Sequence, residues 1–252
     1  SDYGQNWKSL SSTLPKSDTF SINARFIEED PVRKGLLYLG TEYALFVSFD
    51  DGANWLNLNT NLPYAPVHGV VVQEHFNDLV VGTYGRGFWI LDDITPLQQL
   101  TSEVLDSNVH LFNLRSAYRF HTIRPPVAQQ GDPSVGENPP YGASINYYLK
   151  TKGAAEVTIS IVDEKGQTIR ILDGSKNSGI NRVWWDLRYE LTEEPRLRTS
   201  PLIAPWIKLG PEGWRPFPGR AAGRTAIMAP PGKYTVTLSV DGKEISQNLL
   251  VK

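Results

Sequence analysis

Asp50 and Asp51 stand side by side in Ser48-Phe49-Asp50-Asp51-Gly52-Ala53-Asn54-Trp55, and adjacent carboxylates invite an acid/base reading. Arg86 lies between Gly85 and Gly87, where a guanidinium on a tight turn can grip a carboxylate or phosphate through two parallel hydrogen bonds. Glu42, Tyr43, Tyr64, His68 and Tyr84 complete the set of polar and aromatic side chains at the ends of apolar runs. Glycoside hydrolysis ordinarily needs two carboxylates facing each other across a cleft, and Glu42 is the one acid in that set. His68, His75, His110 and His121 lack an i, i+4 metal-ligand spacing. The chain has no cysteine, which excludes thiolate nucleophiles, zinc–thiolate sites and disulfides. Gly85 and Gly87 do not lead a strand into a helix, so they read as turn residues and not as a phosphate loop. No catalytic constellation emerges from these residues, and no cofactor or metal is expected.

The elements that would position these side chains come from an internal repeat. Asp2-Tyr3-Gly4-Gln5-Asn6-Trp7 matches Asp50 to Trp55 at a spacing of 48, and Leu10, Leu14 and Pro15 go on to match Leu58, Leu62 and Pro63. A second echo aligns Gly40 to Asp51 with Gly82 to Asp93 at a spacing of 42. Repeats of about forty to fifty residues holding several short strands are the signature of β-propeller blades. Leu36 to Thr41, Leu45 to Phe49, Leu79 to Thr83 and Phe88 to Leu91 read as strands, being apolar and β-branched. Phe20 to Ile27 and His68 to Val72 would precede them as innermost strands, with Trp55 to Leu58 as an outer one. The second copy keeps Asp92 and Asp93 but lacks the following Gly and Trp. In the complete copy the Asp carboxylate can accept hydrogen bonds from backbone N–H groups of its own turn, Gly supplies a positive φ, and Trp buries a flat surface. Asp2, Gly4, Trp7, Ser48, Asp50, Gly52 and Trp55 are therefore read as structural, with Trp55 mostly buried.

This turn resembles the Asp-box, or BNR, hairpin of sialidases, two-propeller glycoside hydrolases and sortilin-type propellers. The resemblance implies that the box joins the third and fourth strands of a blade, away from the substrate face. Glu42, Tyr43, Tyr64, His68, Tyr84 and Arg86 would then lie on the opposite, ligand-binding face. Sialidases use three clustered arginines and a tyrosine nucleophile, a set that Arg86 alone does not make. The alternative for Arg86 is a structural ion pair with a carboxylate of a neighbouring blade.

The repeat ends near position 96. Thr101 to Asn108 reads as a polar connector with room for one short helical turn. Beyond it, Val109 to Leu114, Ser144 to Leu149, Ala155 to Asp163, Thr168 to Asp173, Asn181 to Leu187, Lys233 to Val240 and Ile245 to Val251 read as strands, and several of them alternate apolar and polar residues, as a two-layer sandwich requires. Asp163-Glu164-Lys165-Gly166 and Asp241-Gly242-Lys243 read as hairpin turns. Two long Pro- and Gly-bearing segments, 123–142 and 191–231, interrupt the strands, the second carrying Trp206, Trp214, Phe217, Arg215, Arg220 and Arg224. An Arg and aromatic mixture of this kind suits a partner or sugar; the alternative is that these loops cover the sandwich.

Gly82 to Leu97 is similar to the final-blade signature of large bacterial BNR-repeat proteins, often labelled glycosyl hydrolase-like or sortilin-like. Asn138-Pro139-Pro140, Ile145 to Leu149, Asn181 to Arg188 and Ala229 to Val236 resemble the C-terminal sandwich of those proteins. The expectation is all-β: terminal propeller blades over 1–96 (an outer strand plus about two blades), a linker at 97–107, and an immunoglobulin- or fibronectin-III-like sandwich over 108–252. Phe46, Phe49, Phe88 and Trp89 would form aromatic surfaces that the remaining blades, as partners, must cover. The resemblance implies a secreted, periplasmic or cell-surface multi-propeller protein. Because these residues supply turns and packing but no acid/base pair, the expectation is binding or scaffolding toward a peptide, protein or glycan. The alternative is a glycan-active hydrolase with its carboxylates in upstream blades. The net charge of −2 gives no reason to expect nucleic acid, and no apolar run is long enough to span a membrane.

Overall fold

The regular structure is mostly strand, and the named strands pair antiparallel. The computed structural model describes residues 4–7, 9–10, 12–14, 23–120, 136–153, 156–218 and 223–252. The chain divides into two compact units, Ser1–Ser107 and Asn108–Lys252. Asp2, Phe20, His121, Arg220, and parts of the 123–142 and Ala155 to Asp163 segments fall outside the described residues.

In the first unit, β1 (Ala24–Glu29), β2 (Leu37–Thr41), β3 (Leu45–Ser48) and β4 (Leu56–Asn57) form one antiparallel meander in that order. β5 (Val67–Gln73), β6 (Asp78–Thr83) and β7 (Gly87–Leu91) form a second, three-stranded one. Leu36, Tyr38, Leu45 and Val47 share a core with Val67, Val70, Val72, Leu79 and Val81, so one face of each sheet is buried against the other. Gly40 permits the contact: a Cβ there would lie 2.6 Å from Val67 Cγ1 and 3.1 Å from its carbonyl oxygen. The other face of the second sheet carries Val71, Phe88 and Ile90, all exposed. Val80 stands between them in register, opposite both Val71 and Ile90. β7 pairs only with β6, which leaves its outer edge unpaired among the described strands.

The expected aromatic surface is corrected in part. Phe88 is 83% exposed, but Phe46 is buried because Leu14, Tyr43 and Trp55 pack over it with Leu39 and Ala44. Phe49 and Trp89 are partly buried against the shared core, and the Arg33 guanidinium lies 5.2 Å above the Phe49 ring. No strand forms among the described residues of 4–14. Trp7 is 89% exposed, since none of those residues supplies a surface beneath its ring.

Two five-residue helices follow β7: α1 (Thr95–Gln99) and α2 (Ser102–Asp106). Pro96 sits in the first turn of α1, where its missing N–H is harmless, and the Thr101 hydroxyl caps α2 by accepting from Val104 N.

The second unit contains β8 (Val109–Leu111), β9 (Ala143–Leu149), β10 (Val157–Val162), β11 (Thr168–Asp173), β12 (Gly179–Trp185), a two-residue ribbon of β13 (Arg196–Leu197) with β14 (Arg215–Pro216), β15 (Gly232–Val240) and β16 (Lys243–Val251). One sheet runs β11-β10-β15-β16 and the other β12-β9-β8. Their inward residues, among them Ile145, Tyr147, Ile159, Ile161, Trp185, Val236 and Leu238, make a single core. Trp185 donates its indole N–H to the Arg188 carbonyl at 2.8 Å and meets Tyr234 edge to face. Asp241 and Gly242 both adopt positive φ between Val240 and Lys243, which makes the β15–β16 turn a two-residue hairpin of the primed kind.

Candidate functional site

The register of the two meanders separates the candidate residues into two groups at opposite sheet ends. Glu42 and Tyr43 form the β2–β3 turn, beyond the Gly40–Leu45 pair. Tyr64 and His68 flank the start of β5, and Tyr84 to Arg86 form the β6–β7 turn beyond Thr83, the partner of Val67. Gly40 contacts Val67, so these three turns share one end of the paired sheets. The Ser48 to Trp55 turn lies beyond the Leu37–Ser48 pair, at the other end.

At the first end the structure brings only some side chains together. His68 and Tyr84 stack, ring centroids 5.5 Å apart at 24°, and the Tyr84 N–H donates to Pro66 O at 2.8 Å. Glu42 is engaged by Arg25 of β1, whose Nε donates to Glu42 Oε1 at 2.7 Å and whose second nitrogen reaches the same oxygen. Tyr43 packs beside Phe46. Tyr64 is exposed and stands apart. The Arg86 carbonyl accepts from Trp89 Nε1 at 3.0 Å, which fixes the turn while the exposed guanidinium has no partner among the described residues. Arg25 was not singled out from the sequence. Its one signal is its place at the β1 irregularity between Ala24 and Phe26, next to the β2–β3 turn, which needs the register to be seen.

The second end holds a closed hydrogen-bond circuit. Asp50 Oδ1 accepts from Ser48 Oγ and Asn54 N, both at 2.8 Å, and Asp50 Oδ2 accepts from Asn54 Nδ2 at 2.7 Å. Ser48 Oγ accepts from Gly52 N at 2.9 Å. The Asn54 side-chain amide, ahead of its backbone N–H, holds the Asp50 carboxyl below the usual aspartate range. Gly52 has φ +82°, and a Cβ there would meet Leu10 Cδ1 at 2.8 Å. The Gly52 carbonyl accepts from Thr13 Oγ1 at 2.6 Å. Gly4, its counterpart in the partial copy, has the same φ of 82°, and Asp51 (57°) and Asp93 (54°), aligned by the 42-residue echo, share a left-handed backbone. Ile94 replaces the glycine after Asp93, and the chain there enters α1. Trp55 is partly buried, with its ring edge 3.4 Å from the Gly52 Cβ position and its indole N–H buried without an acceptor among the described residues.

A polar node that sequence reading missed lies in the same unit. Asp30 is buried and accepts from Val32 N and Arg33 N at 2.9 Å, from the fully buried Tyr38 hydroxyl at 3.2 Å, and from Gln98 Nε2 of α1 at 3.1 Å. Burial first, and then the Asp30 charge, push the Tyr38 hydroxyl above the ordinary tyrosine range. Arg33 donates to the carbonyls of Leu97 and Leu100 at the C-terminal end of α1. A cavity of about 460 Å³ opens beside it, lined by Arg33, Phe49, Leu56, Leu100, Thr101, Ser102 and Leu105, none of them a sequence-predicted site residue. No group of His, Cys, Asp and Glu among the described residues is arranged to hold a metal.

No family model and no curated protein matches the chain. Two solved structures from B. thetaiotaomicron are similar at a distance. One is an extracellular domain assigned to a hybrid two-component system, at 10% identity and TM-score 0.25, over 94% of this chain and 26% of that one. The other is an extracellular domain assigned to a one-component system, at 10% identity and TM-score 0.23, over 92% and 25%. The chain thus spans about a quarter of the length of those structures, and similarity at this level transfers neither fold nor activity.

Proposed function

We propose that this chain is the terminal part of a BNR-type propeller protein of the extracytoplasmic space, and that it serves in binding or scaffolding. Its first unit would be the last blades and its second an immunoglobulin- or fibronectin-III-like sandwich. Two stacked meanders, the first with a closed Asp-box circuit in its β3–β4 turn, support the blade reading. The uncovered Val71, Phe88 and Ile90 face suits a further blade as partner. In the second unit the first, second and fifth long strands share one sheet, while the third, fourth, sixth and seventh share the other. That division supports the fibronectin-III-like reading.

The observation that carries binding over hydrolysis is the state of the charges at the ligand-face end. Glu42, the carboxylate expected there, is tied to Arg25, whereas Arg86 and the stacked His68–Tyr84 pair stand open. An open guanidinium beside a flat aromatic pair suits a ligand with a carboxylate next to a ring or sugar face. The test is binding of the full chain to arrays of sialylated and uronic-acid oligosaccharides and acidic peptides. Arg86→Ala and Tyr84→Ala should each weaken the strongest interaction about tenfold, the size of a lost charge-assisted contact, with melting unchanged. Equal binding by both variants, no binding to any probe, or sugar release from chromogenic glycosides would each overturn it.

A further inference from the structure

The long segment after β12 contains a feature that the ligand-face reading does not use. β13 and β14 pair Arg196 with Pro216 and Leu197 with Arg215, and Arg196 lies 5.2 Å over the Trp214 ring. Arg215 Nε donates to Thr199 O, and Gly210 N to Trp214 O. From this braced ribbon projects Pro201-Leu202-Ile203-Ala204-Pro205-Trp206-Ile207. Ala204 N donates to Pro201 O and Ile207 N to Ala204 O, so two successive turns shape the tip. Those turns hold apolar side chains in water: Leu202 is 99% exposed, Ile203 92% and Trp206 73%.

Two further features decide what would cover it. Between Pro195 and Pro211 the only charged residues are Arg196, Arg198 and Lys208, so cations flank the tip directly, while the nearest acids, Glu194 and Glu212, lie just beyond it, Glu212 accepting from Trp214 Nε1 at 2.8 Å. Moreover, the apolar side chains stand on two successive turns and not on a strand or helix face. A flat protein interface would leave their sides wet, whereas a fluid hydrocarbon phase surrounds a tip on every side. Tryptophan prefers the headgroup level, and cations favour an anionic surface.

We propose that the 201–207 tip inserts into the surface of an anionic lipid bilayer, with Leu202 and Ile203 in the acyl region, Trp206 at the headgroups, and Arg198 and Lys208 on the lipid phosphates. Insertion of such a turn is peripheral attachment, at the level of the headgroups and upper acyl chains. The inference stands apart from the ligand face of the first unit.

The experiment is co-sedimentation of the full chain with vesicles of phosphatidylcholine, with and without phosphatidylglycerol. Tryptophan quenching by brominated lipid is read in parallel. The chain should sediment with the anionic vesicles and release at high salt. Leu202→Ser with Ile203→Ser, at fully solvated positions that leave the fold intact, should weaken binding about a hundredfold. Arg198→Gln with Lys208→Gln should weaken it about tenfold and abolish the preference for anionic lipid. Trp206→Phe should remove most of the bromine quenching without loss of sedimentation. Failure to sediment with anionic vesicles, or equal binding by the Leu202 and Ile203 double variant, would overturn the proposal. So would self-association that this variant abolishes in the absence of vesicle binding, which would assign the tip to a second copy of the chain.

Discussion

Replacing Asp30 with Ala removes the one acceptor shared by a turn, a strand and α1, and the loss can be worked group by group. The Tyr38 hydroxyl is fully buried, so it would keep its proton with nowhere to place it, costing about 1–3 kcal/mol. Gln98 is only partly buried and would recover water, so its lost charge-assisted bond costs about 0.5–1 kcal/mol. Val32 and Arg33 lie in an exposed turn, and their two N–H groups would add about 0.5 kcal/mol between them. The sum is about 3 kcal/mol, confined to the first unit. Hydrogen exchange read by mass spectrometry localises it better than a single melting curve, because two compact units need not unfold together. Peptides from β2, β3, β5 and β6 should exchange somewhat over a hundredfold faster, while those from β9, β10 and β15 should not change. Adding Tyr38→Phe to Asp30→Ala should restore about 1 kcal/mol, since it deletes the stranded hydroxyl. Exchange within threefold of the parent, or a Tyr38→Phe effect as harmful in the variant as in the parent, would refute the node as an energetic unit.

The Asp50 carboxyl is held below its ordinary value, so its stabilisation is present above the unfolded aspartate pKa, near 4, and is lost as pH falls through the lower folded value. NMR titration of the Asn54 backbone and side-chain amides should give a midpoint below that of a free aspartate; being exposed, the group should shift overall stability by only a fraction of a kcal/mol. Gly142 has φ +132° and a Cβ there would fall 1.9 Å from the Trp185 carbonyl oxygen, whereas Gly136 has open space around it. Gly142→Ala should therefore destabilise the second unit by about 3 kcal/mol or more in urea unfolding followed by near-ultraviolet circular dichroism, with Gly136→Ala close to neutral.

Strands were legible where local signals agreed. β10 and β15 alternate cleanly, and Asp241-Gly242 announces its hairpin in two letters. The 42-residue echo carried further than side chains, since Asp51 and Asp93 share a left-handed backbone although only one is followed by Gly. What stayed hidden depends on partners distant in sequence. Asp30 looks like an ordinary turn residue before Pro31 until Gln98 and Tyr38 arrive from 68 and 8 positions away. Glu42 reads as an open acid until register sets Arg25 beside it. The β13–β14 ribbon has two-residue strands, too short for any periodicity to show. Helix α1 carries Pro96 in its first turn, and a proline there reads as punctuation after a strand as readily as the start of a helix. Phe46 and Phe88 have the same local character, and only the packing of Leu14, Tyr43 and Trp55 over one of them decides which is buried.

The outer edge of β7, unpaired among the described strands, gives the first unit a conformational hazard of its own. Gly87-Phe88-Trp89-Ile90-Leu91 holds no charge and no proline, is rich in strand-forming residues, and offers its outward backbone groups to whatever strand arrives. Nothing in those five residues discriminates a proper fourth strand from the same segment of another molecule. A cell making this protein would have to occupy that edge quickly or keep nascent chains apart. Failing that, the segment would seed cross-β growth, since no charge or proline within it acts as a gatekeeper.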